Sequence, residues 1–527
     1  MNVSDAYIVA INEPFEQVTY FADFGFVQPG AREGMTLGHS GFGRWGNRLA
    51  QLNNRVYTMG GKWASLEMNR SVLGQGWEYI QNGTSRQVGE WSNALSSANG
   101  SFTIPPWLEM RLDMDYNTIG VHIFFDEPAQ EWATRVRVSY FSSTNALIES
   151  REFDNDSYDC SLDFLGRNVR RIRIEILSWN LPRRFAKVCQ VIPGQIWIFR
   201  DHNMYSFSLT ESISPFSQVV VPETILTFPD EGQRFNIINP VGLSEFLREF
   251  MEMTSSLGLV TAAGIEHINT GDFFLFSWPT NLDAGSHTFI GRPDMGFAGR
   301  DYIPHDHESE EIVHTFTDTA QMAIRLAEQA AFKAPISINT GNFPLVDSST
   351  NSITLVGAIS QFAIAAGGYI KFERDGTYSL NPLIYPEPER TITYDNMWGK
   401  PSITQNTLLS GITIQYADTR PGHSGLVNEF YPMNPDEPNA PGQNITIQCR
   451  FIQSKAEADR VAMIALEFFG KRLAYSIPYR GDMSITPGMV VSVETDFGFQ
   501  NVLILEHDTL FDNRRFLQST RLRGVGI

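Results

Sequence analysis

The segment 212-SISPFSQVVVPETILTFPDEGQRFNIINPVG-242 decides the fold of this chain. Apolar and polar residues alternate in it with the two-residue period of a β-strand that buries one face. Pro, Gly, Asn and Asp interrupt the alternation where turns are expected. The segment therefore predicts strand, turn, strand and turn. It contains no acid–base pair, no metal-ligand spacing and no phosphate-binding loop, so its regular pattern needs an explanation other than chemistry.

The residues on either side extend this pattern. The preceding stretch MYSFSLTESI alternates like a strand, and the following stretch GLSEFLREFMEM changes to a helical period. Leu243, Phe246, Leu247 and Phe250 fall on one helix face, and Ser244 could cap the first turn. We therefore predict a helix directly after the segment.

Length and composition indicate a folded, multidomain chain. At about 150 residues per domain, 527 residues correspond to roughly three or four domains. The sequence is 42% hydrophobic and 19% charged, which excludes a disordered chain. Its 37 Phe residues, with frequent turn-forming residues, favour strands and turns.

The charge of the chain argues against nucleic-acid binding. The formal net charge is −19, and neutralising phosphates requires a basic surface. The most basic segment is GRNVRRIRIEI, in which Arg171 and Arg173 alternate with Ile172 and Ile174. This alternation predicts arginines on the solvent face of a strand rather than a nucleic-acid contact.

The three cysteines, Cys160, Cys189 and Cys449, form no metal-binding pair and are too few for a disulfide framework. We expect a chain made in a reducing cytoplasm, with Cys160 and Cys189 as small core residues. The N-terminal residues lack the pattern of a signal peptide, and no apolar run reaches the ~18 residues of a membrane span. The sequence thus predicts no membrane segment.

Changes of pattern along the chain predict five parts. The second part has short alternating strands such as RVRVSYF and RRIRIEIL, joined by Asn, Asp, Ser and Gly turns, which indicates an antiparallel jelly-roll sandwich. The predicted parts are N-terminal strands with a Gly-rich loop (1–58), the β-sandwich (59–195), a β domain (196–265), an α+β domain (266–390) and a C-terminal β domain with one helix (391–527).

Three further helices are predicted in the last two parts. The stretch after Thr317 and Asp318, either of which could cap it, is rich in helix formers. The stretch LVGAISQFAIAAGG predicts a helix that ends at Gly367, followed by a hairpin with Asp375-Gly376 as its turn. The stretch SKAEADRVAMIALEFFGKRL predicts the third.

The densest set of possible metal ligands is PHDHESEE, in which His305, His307 and Glu308 are the candidates. A solvated loop before a helix explains the same residues, because a metal site needs a further ligand from elsewhere in the chain. The sequence contains no GxSxG, HExxH or Walker motif and no cysteine with a histidine partner motif. We therefore predict no catalytic residues and no cofactor.

Aromatic residues are concentrated in the sandwich segment. Exposed rings can stack on the C–H face of a sugar, and we name Trp107, Trp179 and Arg183 as candidate sugar-binding residues at loop ends. The alternative is that most of these rings fill the core.

The opening segment resembles a segment of the tail hub proteins of phages and prophages. Ser214-Pro215, Pro222–Leu226, Phe235-Asn236 and Asn239–Leu243 stand where those proteins have the phrases ISP, LP.NTL, FNP and NP.GL. Ile237 departs from the usual Pro.

The C-terminal stretch YRGDMSITPGMVV is similar to the hub phrase RGDP.L..GD.V, with Met483 in place of Pro and Met489 in place of an acidic residue. The upstream sandwich resembles the discoidin-like or carbohydrate-module-like domain of some hubs.

The resemblance implies a mainly β chain with α+β parts. It would consist of split hub β-barrel domains and an inserted antiparallel jelly-roll β-sandwich. It further implies a non-enzymatic virion protein of the baseplate hub class that forms a homotrimeric ring at the tail tip. The implied partners are the distal tail or tail tube protein, the tape-measure protein and fibre or spike proteins, with possible contact to cell-wall polysaccharide.

Two alternatives remain at this stage. A carbohydrate-active enzyme would need two carboxylates about 5–9 Å apart in a groove. A receptor-binding protein would use the sandwich to bind sugar.

Overall fold

The structure, a computed structural model, describes residues 3–13, 18–28, 31, 35–42, 62–64, 77–79, 90–127, 129–230, 235, 238, 242–281, 285–299, 301–303, 314–332, 335–348, 353–417, 426–437, 441–512 and 517–527. Strands account for 55% of the described residues and helices, with the 3₁₀ turns included, for 14%. The prediction of a mainly β chain with α+β parts is confirmed.

The chain forms two compact units. The larger unit comprises Met1–Ala22, Phe199–Gln233 and Met253–Ile527, and the smaller unit comprises Asp23–Ile198 and Arg234–Glu252. The five-part division remains a prediction.

The strands, in chain order, are β1 (Val18–Val27), β2 (Thr36–Ser40), β3 (Lys62–Ala64), β4 (Trp77–Tyr79), β5 (Glu90–Leu95), β6 (Trp107–Phe125), β7 (Ala133–Phe141), β8 (Leu147–Asp154), β9 (Asp159–Trp179), β10 (Phe185–Ile192), β11 (Gly194–Arg200), β12 (Ser206–Ser212), β13 (Glu223–Pro229), β14 (Glu252–Thr261), β15 (Gly264–Ser277), β16 (Thr280–Asn281), β17 (Ser286–Arg292), β18 (His314–Asp318), β19 (Ser337–Ile338), β20 (Pro344–Ser348), β21 (Gly368–Phe372), β22 (Tyr378–Pro382), β23 (Arg390–Ile392), β24 (Ser402–Gln405), β25 (Leu409–Ala417), β26 (Leu426–Pro432), β27 (Gln443–Cys449), β28 (Leu473–Ser476), β29 (Val490–Thr495), β30 (Gly498–Asp512) and β31 (Leu517–Gly526).

The described ranges contain four α-helices, which are α1 (Asp5–Ile11), α2 (Thr319–Ala330), α3 (Leu355–Ala365) and α4 (Lys455–Gly470). Each begins at a side-chain cap, because Ser4, Asp318, Thr354 and Ser454 accept a hydrogen bond from a backbone N–H in the first turn. Of the two predicted caps of α2, the structure therefore uses Asp318. All three helices predicted in the last two parts are confirmed.

The helix predicted after the opening segment is wrong. Only a 3₁₀ turn at Gly242–Phe246 forms there, and β14 begins at Glu252. Phe250 has a left-handed backbone with φ of 68°, which ends any helical path before a third turn. Further 3₁₀ turns span Asp201–Asn203, Asp294–Phe297 and Tyr394–Asn396.

The main sheet of the larger unit contains the strands of the opening segment. Its strand order includes the run β14–β15–β17–β13–β12–β30–β31–β28–β24, with β29 on β30 and β23 on β29. β12 and β13 are antiparallel neighbours, and Phe207 lies opposite Leu226. A barrel would need its two outermost strands to pair, but β24 pairs with β28 alone among the described residues. The sheets are therefore open, and the predicted barrels do not close.

Smaller sheets complete the larger unit. They have the strand orders β18–β20, β19–β22–β21 and β26–β25–β27, and α3 packs against α2 and β21 while α4 packs against β25. The predicted hairpin with its turn at Asp375-Gly376 corresponds to β21 and β22.

The smaller unit is built around one antiparallel sheet with the strand order β5–β10–β6–β9–β7–β8 and β2 on β6. The pairing of β6 with β9 shifts between Arg111 and Gly120, so both long strands bend there. A Cβ on Gly120 would lie 2.0 Å from the Leu162 carbonyl oxygen, which explains the glycine at this bend. Met110 and Ile123, on opposite sides of the bend, belong to the same core, as expected of a sandwich.

Candidate functional site

The outer face of the smaller unit's sheet carries a ladder of charges. Trp107, Glu109 and Arg111 on β6 lie opposite Glu175, Arg173 and Arg171 on β9. Their neighbours Leu108, Met110, Ile172 and Ile174 are buried in the core, so the polar set faces away from it, as the alternation in RRIRIEIL predicted. We call the following residues the charged face: Trp107, Glu109, Arg111, Arg137, Phe141, Glu152, Arg171, Arg173 and Glu175.

Glu109 is the centre of the charged face. Its side chain is fully buried, and three arginines donate to it: Arg111 at 2.8 Å, Arg173 at 2.8 Å and 3.1 Å, and Arg171 at 3.3 Å. Burial raises the pKa of Glu109, but the hydrogen bonds and charges of the arginines outweigh it, so the pKa lies below its ordinary value. Glu109 is therefore an ionised anchor for the arginines and not a proton donor near neutral pH.

Arg137 pairs with two further carboxylates of the charged face. Its guanidinium donates to Glu152 at 2.6 Å and to Glu175 at 3.1 Å. The guanidinium carbon of Arg173 lies 4.3 Å from the centroid of the Trp107 ring, and that of Arg171 lies 4.0 Å from the Phe141 centroid. The arginines thus contact both the carboxylates and the aromatic rings of the charged face.

The pH dependence of stability tests the anchor role of Glu109. Its pKa is lower in the folded chain than the ordinary 4.5, so below about pH 4.5 the unfolded chain takes up the proton first and stability falls. We expect Glu109→Gln to cost about 2–3 kcal/mol at pH 7, the scale of hydrogen bonds to a buried charge, and progressively less below pH 4.5. Hydrogen exchange of β6 and β9 peptides between pH 3 and 7, with deuterium uptake corrected for intrinsic rates, measures this difference.

The control is Glu149→Gln, a change at an exposed glutamate on β8. It should leave the exchange of β6 and β9 unchanged at every pH. A Glu109→Gln cost that stays constant from pH 7 to pH 3 would contradict the assigned pKa direction.

The structure separates the three predicted sugar-binding residues. Trp107 lies on the charged face and is partly exposed. Trp179 is only 2% exposed, packs edge-on against Phe125 and donates its indole N–H to Glu131, so its ring offers no face to a sugar and the core alternative applies. Arg183 is exposed in the turn before β10 with φ of 57°. A sugar-binding role for Trp107 and Arg183 remains a prediction.

The metal candidates His305, His307 and Glu308 lie outside the described residues. Within the described ranges, no group of three His, Cys, Asp or Glu residues is arranged to hold a metal ion.

The three cysteines are buried and free, as predicted for Cys160 and Cys189. Burial raises the pKa of Cys160 to about 12 and that of Cys449 to about 12, and it raises the pKa of Cys189 as well. These thiols stay protonated and unreactive near neutral pH.

A buried ion pair inside the smaller unit was missed by sequence reasoning. Lys187 Nζ donates to Glu131 Oε2 at 2.7 Å, and both side chains are 1% exposed. Asp126 lies 3.8 Å from the same Nζ, and Arg184 lies 3.5 Å from Glu131. The only signal in the sequence is a lysine inside the apolar strand FAKVCQVI.

In the larger unit, Arg374 connects the strand before the opening segment to the second hub-like phrase. Its guanidinium donates to both oxygens of Glu211, at 2.6 Å and 3.3 Å, and also to the Met483 carbonyl oxygen. Glu211 is on β12, directly before the opening segment, and Met483 belongs to YRGDMSITPG. The side chains of Arg374 and Glu211 are 3% and 7% exposed, so this contact is structural.

The YRGDMS phrase also holds the N-terminal helix in the larger unit. Arg480 donates to the carbonyl oxygens of Ile11 at 3.1 Å and Glu13 at 2.7 Å, where α1 ends and positive charge is favoured. Asp482 accepts the Tyr7 hydroxyl at 3.0 Å and the Ser484 N–H at 2.7 Å. Residues 479–484 thus connect α1, near the N-terminus, to the C-terminal part of the larger unit.

The main sheet of the larger unit ends in an exposed apolar edge at β24. Ile403 lies opposite Tyr475 of the core, and Gln405 lies opposite Leu473, so these residues share the face that the core covers. Ile403 and Leu473 are nevertheless 41% and 44% exposed. We call Ser402–Gln405 with Leu473 the β24 edge.

A search of the described helices finds none that combines the length and the apolar character of a membrane span.

No protein-family model matches the chain, and no curated protein matches it. Similar solved structures include a tail protein from Neisseria meningitidis, with 15% identity over 62% of this chain and 93% of that chain and a TM-score of 0.42. The 43 kDa tail protein of prophage MuSo2 from Shewanella oneidensis has 12% identity over 63% of this chain and 94% of that chain, with a TM-score of 0.40. Prophage tail protein gp18 from Listeria monocytogenes has 10% identity over 63% of this chain and 91% of that chain, with a TM-score of 0.39. Identities and TM-scores this low do not establish a shared function.

Proposed function

We propose that this chain is a structural protein of a phage or prophage tail, of the baseplate hub class. It forms a trimeric ring at the tail tip and has no catalytic activity. Its resemblance to hubs rests on the opening segment and on YRGDMSITPGMVV. Arg374 contacts the second phrase at Met483 and the strand directly before the opening segment at Glu211, which supports a role for this region in folding the larger unit rather than in chemistry.

The β24 edge carries the proposal of assembly. An edge strand presents unpaired backbone N–H and C=O groups, and soluble proteins usually protect such edges with charge or with cover. Here the edge continues an apolar core face through Ile403 and Leu473, and no charged side chain lies in Ser402–Gln405. Pairing with a neighbouring copy would cover both the backbone groups and the apolar side chains.

Exposed aromatic residues form a second surface of the larger unit that favours assembly. Trp398 and Phe497 are 66% and 89% exposed. The Lys400–Asp496 ion pair, at 2.6 Å, joins the segments that carry them. Large exposed rings are typical of protein interfaces.

The proposal places the chain in the virion, between the tail tube and the tip. Its partners would be the distal tail or tail tube protein, the tape-measure protein and fibre or spike proteins. The charged face of the smaller unit, with Trp107 at its border, would contact host polysaccharide.

The mass of the purified chain tests the proposed assembly. We expect native mass spectrometry to find a species of three times the 59.4 kDa subunit, and negative-stain images to show rings. Ile403→Lys places a charge at the β24 edge and should weaken association about tenfold or more. The control is Ile265→Lys, since Ile265 is 52% exposed on β15, away from that edge.

A chain that remains monomeric at high concentration and is missing from purified particles would refute the hub role. Equal effects of Ile403→Lys and Ile265→Lys would refute the β24 edge as the contact. Release of reducing ends from peptidoglycan or polysaccharide would instead support the alternative of a carbohydrate-active enzyme.

A further inference from the structure

A cleft in the smaller unit has the composition of a small-molecule site. Its volume is about 210 Å³, below the roughly 300–1,000 Å³ of pockets for drug-sized ligands, so it suits a single ring. Phe26, Ile119 and Met251 line it and are buried, so they form an apolar floor. None of the residues predicted to bind sugar lines this cleft.

Two arginines form the cationic part of the rim. Arg167 Nη2 lies 3.9 Å from Glu245 Oε2, beyond hydrogen-bond distance, and its side chain is 71% exposed. Arg248 is also exposed and donates one N–H to the Leu247 carbonyl oxygen at 2.7 Å, which holds its guanidinium at the rim. With Glu245 as the one carboxylate, the cleft is locally positive in a chain of net charge −19.

Two side-chain amides add further donors. Gln28 Oε1 accepts the Asn117 N–H at 2.8 Å, and Asn117 Oδ1 accepts the Asn168 N–H at 3.1 Å. Each amide oxygen is therefore engaged, and each NH₂ group remains to donate. Gln28 and Asn117 both line the cleft.

The bend of β9 fixes the position of Arg167. Asn168 has a left-handed backbone with φ of 53°, and its N–H is held by Asn117. This local turn sits at the irregular part of the β6–β9 pairing, where Thr118 lies opposite Gly166. Arg167 therefore lies at the bend of β9, next to a backbone position that the Asn117 side chain holds.

We infer that this cleft binds one carboxylate-bearing sugar ring, such as a hexuronate. The guanidiniums of Arg167 and Arg248 bind the carboxylate, for which arginine has matching geometry. Glu245 accepts from ring hydroxyls, and the amides of Gln28 and Asn117 donate to them. The C–H face of the sugar ring packs on the apolar floor.

This inference goes beyond the proposed tail function. All residues of the cleft belong to the smaller unit, so its binding does not depend on the association of chains at the β24 edge. A monomer that binds hexuronate would refute the hub role and leave the cleft proposal standing. A trimer that fails to bind hexuronate would refute the cleft proposal and leave the hub role standing.

Titration of the full chain with small sugars tests the inference. Isothermal titration calorimetry with D-glucuronate and D-galacturonate should give a Kd in the millimolar range, as expected for a ligand of one ring. D-glucose, D-galactose, acetate and inorganic phosphate should each bind about tenfold more weakly or not at all. The neutral sugars lack the carboxylate, and the two small anions lack the ring.

Two substitutions locate the site. Arg167→Gln and Arg248→Gln should each raise the Kd for D-glucuronate about tenfold, the loss of one charged contact. The matched control is Arg170→Gln, an arginine of the same strand that does not line the cleft, and it should leave the Kd unchanged. Circular dichroism verifies that each variant is folded, and either cleft arginine suffices for the test.

Several results would overturn the inference. They are no detectable uronate binding, equal binding of glucose and glucuronate, or phosphate binding as tight as uronate binding. Equal effects of Arg170→Gln and both cleft substitutions would also overturn it.

Discussion

Lys187→Met should destabilise the smaller unit by about 3–5 kcal/mol. The substitution removes the cation nearest to Glu131, a carboxylate buried in the core next to the indole N–H of Trp179, and leaves Arg184, 3.5 Å away, as its remaining cation. Removing one partner of a buried pair costs this much because the remaining charge has lost solvation and an ionic contact, and Arg184 should keep the loss near the lower end of this range. Urea denaturation, with hydrogen exchange of β10 to assign the transition to this unit, measures the loss.

A second substitution separates charge from packing. In the double variant Glu131→Gln, Lys187→Met, position 131 is neutral and can still accept the Trp179 N–H, so most of the lost stability should return. The control is Lys400→Met, since Lys400 pairs with Asp496 at the surface with its side chain 67% exposed, and this substitution should leave the stability of the smaller unit unchanged. A double variant no more stable than Lys187→Met would show that packing, not the unpaired charge, dominates.

Glu211→Gln should have a similar effect on the larger unit, about 3–5 kcal/mol. Arg374 is 3% exposed and would lose its counter-ion while remaining in the interior. The same guanidinium donates to the Met483 carbonyl oxygen, so we also expect faster hydrogen exchange in residues 479–488. Exchange should rise in α1 too, because Asp482 and Arg480 hold that helix.

Glu223→Gln is the matched control for Glu211→Gln. Glu223 is on β13, the neighbouring strand, and pairs with Arg292 at 2.7 Å with both side chains about one-third exposed. Such a partly exposed pair contributes under about 1 kcal/mol. Equal losses for the two variants, or unchanged exchange of α1 in Glu211→Gln, would contradict the role assigned to Arg374.

Local patterns predicted those parts of the fold that depend on neighbours in the chain. The cap at Asp318 and the turn at Asp375-Gly376 were predictable because the residues that form them are within a few positions of each other. The helix after Gly242 was wrong because two turns of helical spacing are too short to prevail over strand pairing of β14.

The candidate sites were less predictable. Trp107 was named from its residue type and lies on the charged face, but Trp179 was named on the same grounds and fills the core. Arg167 and Arg248, which we assign to the cleft, are 81 positions apart in sequence and carry no motif. Residue type alone does not tell whether an aromatic ring faces solvent or core.

The sequence by itself determined the two-residue and 3.6-residue periods, and these dictate which side of each strand or helix is apolar. The tertiary structure decided which polar residues are buried and which residues they contact. Glu109 pairs with Arg173, which is 64 positions away in the sequence. Glu131 pairs with Lys187 at a separation of 56 positions, and Glu211 pairs with Arg374 at a separation of 163. The period of a strand shows which of its residues share a face, but it does not show the register with neighbouring strands or which elements pack on that face. These ion pairs therefore form only when the sheets are assembled.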